Sequence, residues 1–375
     1  MPSINSSCLS SGIRNEALRL GFSKLGIVHA GPLPQGDRLD KWLRRGLHGE
    51  MRYLERQALK RRDPGSVLKE VRSLILLACN YFAGQRPVAT PLKGKISRYA
   101  LGDDYHFTIK RRLDRLLEYI KSQVPSATGV CYVDTGPVME KAWGAQTSLG
   151  WMGKHTNLIS RIHGSWFFIA VILLNIDLEP DTREKDYCGT CRRCLDACPT
   201  GAIVAPYVLD ARLCVSYLTI EFRGSIPKSL RSLIGNRIFG CDDCQDICPW
   251  NRFATKTSDR HFFPREENLM PDLMALARLT PAQFRDRFRD SPILRATRDG
   301  FVRNVVVALG NSGNRKSLPV LAETLIDNSP LVRAHAAWAL GRLASPPAFK
   351  CLDSARKTEN DATVREEIIE ALKQH

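Results

Sequence analysis

The sequence predicts three consecutive units: an α/β unit over residues 1–180, a compact cysteine-bearing module over 181–255, and an all-helical repeat unit over 256–375. Three observations carry that prediction. Helical patterns alternate with apolar strand-like runs before residue 180, eight of the twelve cysteines fall between Cys188 and Cys248, and a Val-Arg-led motif recurs three times after residue 300. At roughly 100–200 residues per domain, a chain of 375 residues suits two or three such units.

In the first unit, apolar spacing predicts helices over residues 13–20 and 107–120, and continuous apolar runs predict strands over 74–81, 130–133 and 166–174. Prolines and glycines punctuate the joins. Neither a glycine-rich dinucleotide fingerprint nor a phosphate-binding P-loop occurs, so a redox cofactor here must be held in another way. Polar residues gather in three places. In GDDYHFTIKRRL, Asp103, Asp104, Tyr105 and His106 open the second helix, where an aspartate N-cap is the ordinary reading. In GVCYVDTGPVMEKAWGAQ, Asp134 ends a buried strand; a site carboxylate at a strand terminus and a capping aspartate before Thr135-Gly136-Pro137 fit equally. In GWMGKHTNLIS, Gly150, Gly153, Lys154, His155 and Asn157 form a polar loop, either a cofactor cradle or a connection.

In the second unit, CGTCRRCLDACPTGAI sets Cys188, Cys191, Cys194 and Cys198 at the C-x2-C-x2-C-x3-C-P spacing of two-cluster bacterial ferredoxins, whose fourth cysteine serves the other cluster. A second run, CDDCQDICPW, repeats the ending with Cys241, Cys244 and Cys248. Two cubanes need eight thiolates and these runs hold seven, so Cys214, the one other cysteine in the segment, takes the remaining corner. The interleaving gives Cys188, Cys191, Cys194 and Cys248 to one [4Fe-4S] cluster and Cys198, Cys214, Cys241 and Cys244 to the other. Structural zinc also uses C-x2-C pairs, but it draws two ligands from each of two knuckles rather than a run of three followed by C-P. Cys8, Cys79, Cys131 and Cys351 are scattered singly and read as small buried hydrophobes. Two neighbouring cubanes make an electron relay, and a relay implies an acceptor.

In the third unit, VRNVVVALGNSG from Val302, VRAHAAWALGRL from Val332 and VREEIIEALKQH from Val364 recur at spacings of 30 and 32 residues, with LPVLAETLI between the first two. Stacked HEAT-like helix pairs fit this period; a non-repeating bundle is the alternative. The formal net charge is +16, residues 41–112 hold 17 Lys and Arg against 6 Asp and Glu, and a second series runs through Arg285, Arg287, Arg289, Arg295, Arg298 and Arg303. Two basic zones beside a redox module predict a polyanionic partner such as RNA. No apolar run approaches the ~20 residues of a membrane span, and MPSINSSCLSSG lacks the basic lead and apolar stretch of a signal peptide. A cytoplasmic protein without membrane contact is expected, and a monomer, since no dimerisation pattern is recognisable.

Together, CGTCRRCLDACPTGAI, Cys214 in LCVSYLTIEFRG, CDDCQDICPWNRF, GWMGKHTNLI, HGEMRYLERQALKRRDP and the trailing repeats resemble the epoxyqueuosine reductases, the QueG family, over nearly the whole chain. The resemblance implies an α/β (α+β) N-terminal cobalamin-binding domain similar to nitroreductase-like and reductive dehalogenase folds, a ferredoxin-like two-[4Fe-4S] module, and a HEAT-like repeat domain in contact with tRNA. It implies reduction of epoxyqueuosine to queuosine at the tRNA wobble position by cob(I)alamin, generated by electrons that the clusters take from a low-potential flavodoxin or ferredoxin. Asp134 is then the proton donor and Tyr105 a hydrogen-bond donor near the cobalt. Arg56, Arg98, Asp134, Lys154, Asn157 and Ser216 are expected to contact the cofactor. Base-off cobalamin without a protein ligand is expected, because the D-x-H-x-x-G motif of histidine-ligated cobalamin proteins begins at Asp104 but meets Ile109 where glycine is required. The alternatives are a non-catalytic RNA-associated iron–sulfur scaffold and a reductive dehalogenase-like enzyme acting on small molecules.

Overall fold

The computed structural model describes residues 6–33, 35–84, 87 and 90–373. The first five residues of the N-terminal stretch, Arg86 of the basic window, and Gln374 and His375 of the third repeat lie outside them. The first unit is built on a sheet of β1 (Lys24–His29), β2 (Ser73–Asn80), β3 (Gly129–Val133) and β4 (Phe167–Leu174), in the spatial order β1-β2-β4-β3. Every pairing in it is antiparallel, with Ile172 of β4 opposite Ile75 on one side and Cys131 on the other. The unit is thus the α+β form of the predicted class, and the parallel-sheet rule does not explain why Asp134 stands at a strand end. Strand β1 went unpredicted because KLGIVH is short and interrupted by Gly26. That glycine is needed, since a Cβ there would lie 2.3 Å from the Thr147 hydroxyl.

The continuous apolar runs reflect a sheet buried on both faces. Along β2, Ile75, Leu77 and Cys79 point toward α1 (Ser6–Arg19) and α2 (Tyr105–Gln123), which supply Leu9, Ile13, Ile109, Leu113 and Leu116. The alternate residues Leu74, Leu76 and Ala78 meet Ala142, Trp143, Leu149 and Leu158.

The cysteine module is not packed alone. Its helices α3 (Val215–Ile220) and α4 (Lys228–Ile234) send Val215, Leu218, Leu230 and Ile234 into the core of the C-terminal helices α5 (Thr297–Ser312), α6 (Leu318–Thr324), α7 (Pro330–Leu343), α8 (Pro346–Thr358) and α9 (Ala362–Leu372). Ile96, Ala100 and Leu101 of the first unit join the same core, and Lys95–Ile96 pairs in parallel with Arg237–Phe239. In the repeats, Val302, Val332 and Val364 are all buried.

The arginine series of residues 285–303 is less available than its count suggests. Arg303 is fully buried, donating to the carbonyls of Leu218, Phe222 and Gly224. Arg295 pairs with Glu221, Arg298 with Asp327 and Arg289 with Asp286. In the 41–112 window, Arg62, Arg72, Arg98, Lys110 and Arg112 pair with Asp40, Asp177, Asp246, Asp114 and Asp259. A charge count along the chain missed this because most of these acids come from distant segments. Among the described residues, no helix is long and apolar enough to cross a membrane.

Candidate active site and cluster sites

A cavity of about 430 Å³ opens between the ends of β3 and β4 and the cysteine module. Asp134, the residue after β3, adopts a left-handed conformation at φ +58°, which aspartate tolerates better than most residues. The capping alternative does not hold: the following helix, Glu140–Gly144, has Met139 at its N-cap. Instead the Asp134 carboxylate faces α2. The Tyr105 hydroxyl donates to its Oδ2 at 2.7 Å, and His106 Nε2 stands 3.8 Å from the same atom. Asp104 caps α2 by accepting from the His106 amide at 3.0 Å, and also binds His106 Nδ1 at 2.7 Å. Capping and site construction are therefore one arrangement. The Tyr105 ring is fixed by stacking on Phe168, 4.1 Å between centroids.

These contacts set the protonation states. Burial favours a neutral His106, but hydrogen bonds and charges from Asp104 and Asp134 outweigh it and lift its pKa to about 9. For Asp134, burial pushes upward, while the hydrogen bonds of His106 and Tyr105, aided by the charges of His106 and Lys141, pull it below its ordinary value. The carboxylate sits deep in a concave wall yet keeps 70% of its side-chain surface open to solvent. Glu140 behaves in the opposite way. Burial, reinforced by the Asp134 charge, raises it to about 8, and its Oε1 is buried without a hydrogen-bond partner. His155 is held neutral, at about 4, by burial and by the Lys141 charge, and its Nε2 also lacks a partner.

Of the other residues expected at the cofactor, Asn157 and Ser216 line this cavity. Asn157 accepts from Lys141 Nζ at 2.7 Å and donates to Gln245 Oε1 at 2.7 Å, which ties the polar loop across to the cysteine module. The remaining three are elsewhere. Arg56 is exposed on the short helix Arg52–Arg56. Arg98 packs over the Trp166 ring and is engaged by Asp246 and the Gly84 carbonyl. Lys154 donates to the carbonyls of Gly189 at 2.6 Å and Cys191 at 2.9 Å, bracing the cysteine loop. Sequence reasoning missed Glu140 and Lys141. They share the Asp134 motif, but only tertiary burial gives them their character.

The eight clustered cysteines fall into two groups. Cys244 lies within electrostatic reach of Cys241, Cys214 and Cys198, and all four line the Asp134 cavity. Cys194 stands in the same relation to Cys188, Cys248 and Cys191, and these line a separate cavity of about 480 Å³. As free thiols they resist ionisation: burial and then the neighbouring thiolates push Cys194 to about 11, and burial leads in taking Cys241 to about 12. Iron ligation would relieve this by replacing the proton. Among the described residues, no three His, Cys, Asp or Glu converge on a point suited to a single metal ion. Of the isolated cysteines, Cys79 and Cys131 are buried, Cys351 is half-buried, and Cys8 is exposed, contrary to the buried reading.

Three family models match the chain: epoxyqueuosine reductase QueG, DUF1730 over residues 61–135, a 4Fe-4S double cluster binding domain over 187–251, and HEAT repeats over 292–373. An epoxyqueuosine reductase from Pseudomonas aeruginosa is 42% identical over 342 residues, covering 89% of this chain and 94% of the relative. One from Escherichia coli is 38% identical over 338 residues, covering 89% of each. Among solved structures, an epoxyqueuosine reductase with a tRNA-Tyr epoxyqueuosine-modified stem loop matches with a TM-score of 0.93 at 30% identity, over 99% of both chains. The Bacillus subtilis epoxyqueuosine reductase, with its catalytic loop swung out of the active site, matches with a TM-score of 0.92 at 29% identity, over 99% of this chain and 100% of that one.

Proposed function

The chain belongs to the epoxyqueuosine reductase family of iron–sulfur oxidoreductases, and on that premise we propose that it reduces epoxyqueuosine to queuosine at the tRNA wobble position with Asp134 as the acid. The observation that carries this reading is one cavity with Asp134, Tyr105 and His106 on one wall and Cys198, Cys214, Cys241 and Cys244 on another. Removing an epoxide oxygen as water takes two electrons and two protons and leaves a carbon–carbon double bond. A proton-holding group beside an electron relay meets both needs.

Base-off cobalamin fits the cavity on the orphaned Nε2 of His155 and Oε1 of Glu140, two buried polar atoms without protein partners in its lining. Asn157 and Ser216 would bind its amide-rich periphery, and Asp134 would lie beside it. Both ring nitrogens of His106 face carboxylates, so it is not free as a metal ligand. Held there, cobalamin would supply a low-potential reducing centre beside the cluster cysteines Cys198, Cys214, Cys241 and Cys244. The protein's part is proton delivery. As negative charge grows on the substrate oxygen, the proton held by the His106 imidazolium passes to it through the Asp134 carboxylate, while Asp104 holds the imidazole ring in place. Tyr105 keeps Oδ2 aligned. Positioned acids of this kind contribute about 10²–10⁴-fold.

In this reading residues 1–180 carry the cobalamin, 181–255 the clusters and 256–375 the helical support against which tRNA lies. The protein acts as a cytoplasmic monomer fed by a flavodoxin or ferredoxin. Family membership sets aside the non-catalytic scaffold and the small-molecule dehalogenase.

The test is anaerobic incubation of cluster-reconstituted protein with cobalamin, a low-potential reductant and epoxyqueuosine-bearing tRNA, followed by mass spectrometry of the digested nucleosides. Queuosine is the expected product; its absence with cobalamin reduction confirmed would sink the function. Asp134→Asn is expected to keep its clusters and tRNA affinity but to lose roughly 10²-fold or more in turnover. Near-normal turnover would remove Asp134 as the acid.

A further inference from the structure

The cysteine tetrad that does not line the Asp134 cavity opens instead onto an exposed face of distinct composition. Cys188, Cys191, Cys194 and Cys248 share their cavity with Arg161, Arg193 and Arg252 and with Tyr187, Trp250 and Phe253. The three aromatic rings form a strip, with Trp250 5.5 Å from Tyr187 and 5.9 Å from Phe253 between centroids. Arg161 lies over the Tyr187 ring and Arg252 over the Phe253 ring. All three arginines are exposed, and among the described residues none of them makes an ion pair. The neighbouring carboxylates are already engaged: Glu184 accepts from the Tyr187 hydroxyl, and Asp186 from the Tyr207 hydroxyl and the Cys188 amide.

We propose that this face docks an acidic one-electron carrier protein and that electrons enter the enzyme through the Cys188/Cys191/Cys194/Cys248 cluster. The inference rests on the cluster assignment given above and adds the place and chemistry of the partner. Each encounter oxidises the carrier's reduced prosthetic group, a flavin or an iron–sulfur cluster, by one electron and reduces the outer cubane by one. Two encounters match the two electrons that epoxide removal consumes. Free arginines beside an otherwise apolar strip suit a transient redox complex, in which opposite charge raises the encounter rate and a small aromatic patch closes the gap between prosthetic groups. RNA also binds arginines and aromatic rings, but the nucleotide it must deliver reacts at Asp134, in the other cavity.

The test is stopped-flow reduction of the cluster-loaded protein by photoreduced flavodoxin, followed by bleaching near 400 nm. The wild-type second-order rate constant is expected to fall as salt is raised. In Arg193→Glu/Arg252→Glu it is expected to drop at least tenfold at low salt, with reduction by the cationic reduced methyl viologen not slowed and affinity for tRNA unchanged. Arg161→Glu, outside the ligand segments, repeats the test should the double variant load poorly with iron. An unchanged rate with flavodoxin overturns the proposal, and so does weakened tRNA binding, which would assign the face to RNA. Wild-type protein that takes up no clusters would instead defeat the cluster reading itself.

Discussion

Asp134 keeps its negative charge because two donors face it, and the stronger of these, His106, is held as a cation by a second carboxylate, Asp104. This has a measurable sign. A histidine raised from 6.5 to about 9 on folding gives stabilisation that is complete below 6.5 and disappears as the pH climbs through 9. Wild type is expected to melt above His106→Gln at pH 6, by on the order of 2–3 kcal/mol, with the gap closing above pH 9. A gap constant from pH 6 to 10 would refute the assignment. Glu140 carries the reverse sign. Its pKa rises from 4.5 to about 8, so folding loses stability between those values. Glu140→Gln is expected to melt at the wild-type temperature at pH 4 and higher than wild type at pH 8; a lower melting point at pH 8 would contradict it. Tyr105 and Asp134 were legible in the sequence as polar residues at element boundaries. The charge on His106 and the proton on Glu140 were not, because each depends on burial and on carboxylates brought together only by the fold.

At the scale of elements, the HEAT-like repeat was the most legible part of the chain, since three Val-Arg-led helices keep one period. The physical reason for the glycine in its Ala-Leu-Gly ending appears only when the helices are stacked. A Cβ on Gly310 would lie 2.9 Å from Ala339 of the next repeat, and one on Gly341 would lie 2.9 Å from Ala371 of the one after. The third copy has no successor among the described residues, and Lys373 replaces the glycine there. Gly310→Ala is therefore expected to lower stability by about 1–3 kcal/mol through overpacking, while Lys373→Ala changes it by less than about 0.5 kcal/mol. Denaturant unfolding of the two variants measures the contrast, and equal effects would contradict it. Strand β1 shows the converse. Its glycine broke the pattern that would have revealed it, and the reason is a side chain, Thr147, remote in sequence.

At the scale of the whole molecule, the order of an α+β part, a cysteine-bearing part and a helical part was legible, but not the core that the last two share and to which the first contributes. Val215, Leu218, Ile238 and Phe239 of the cysteine module are buried against the C-terminal helices, and the Arg303 guanidinium closes the carbonyls of Leu218, Phe222 and Gly224. A chain ending at residue 291 would expose that surface. It is expected to aggregate or to bind a hydrophobic dye, checked by sedimentation and fluorescence; a soluble, cluster-loaded fragment would show the units to be separable. The interleaved cysteines add a constraint of a different kind. In the proposed assignment one tetrad includes Cys244 and the other Cys248, so neither would be completed while the ribosome still holds that stretch. Under that assignment iron loading would belong to the last third of synthesis, and a chain made without iron would leave the ribosome with both tetrads as free thiols.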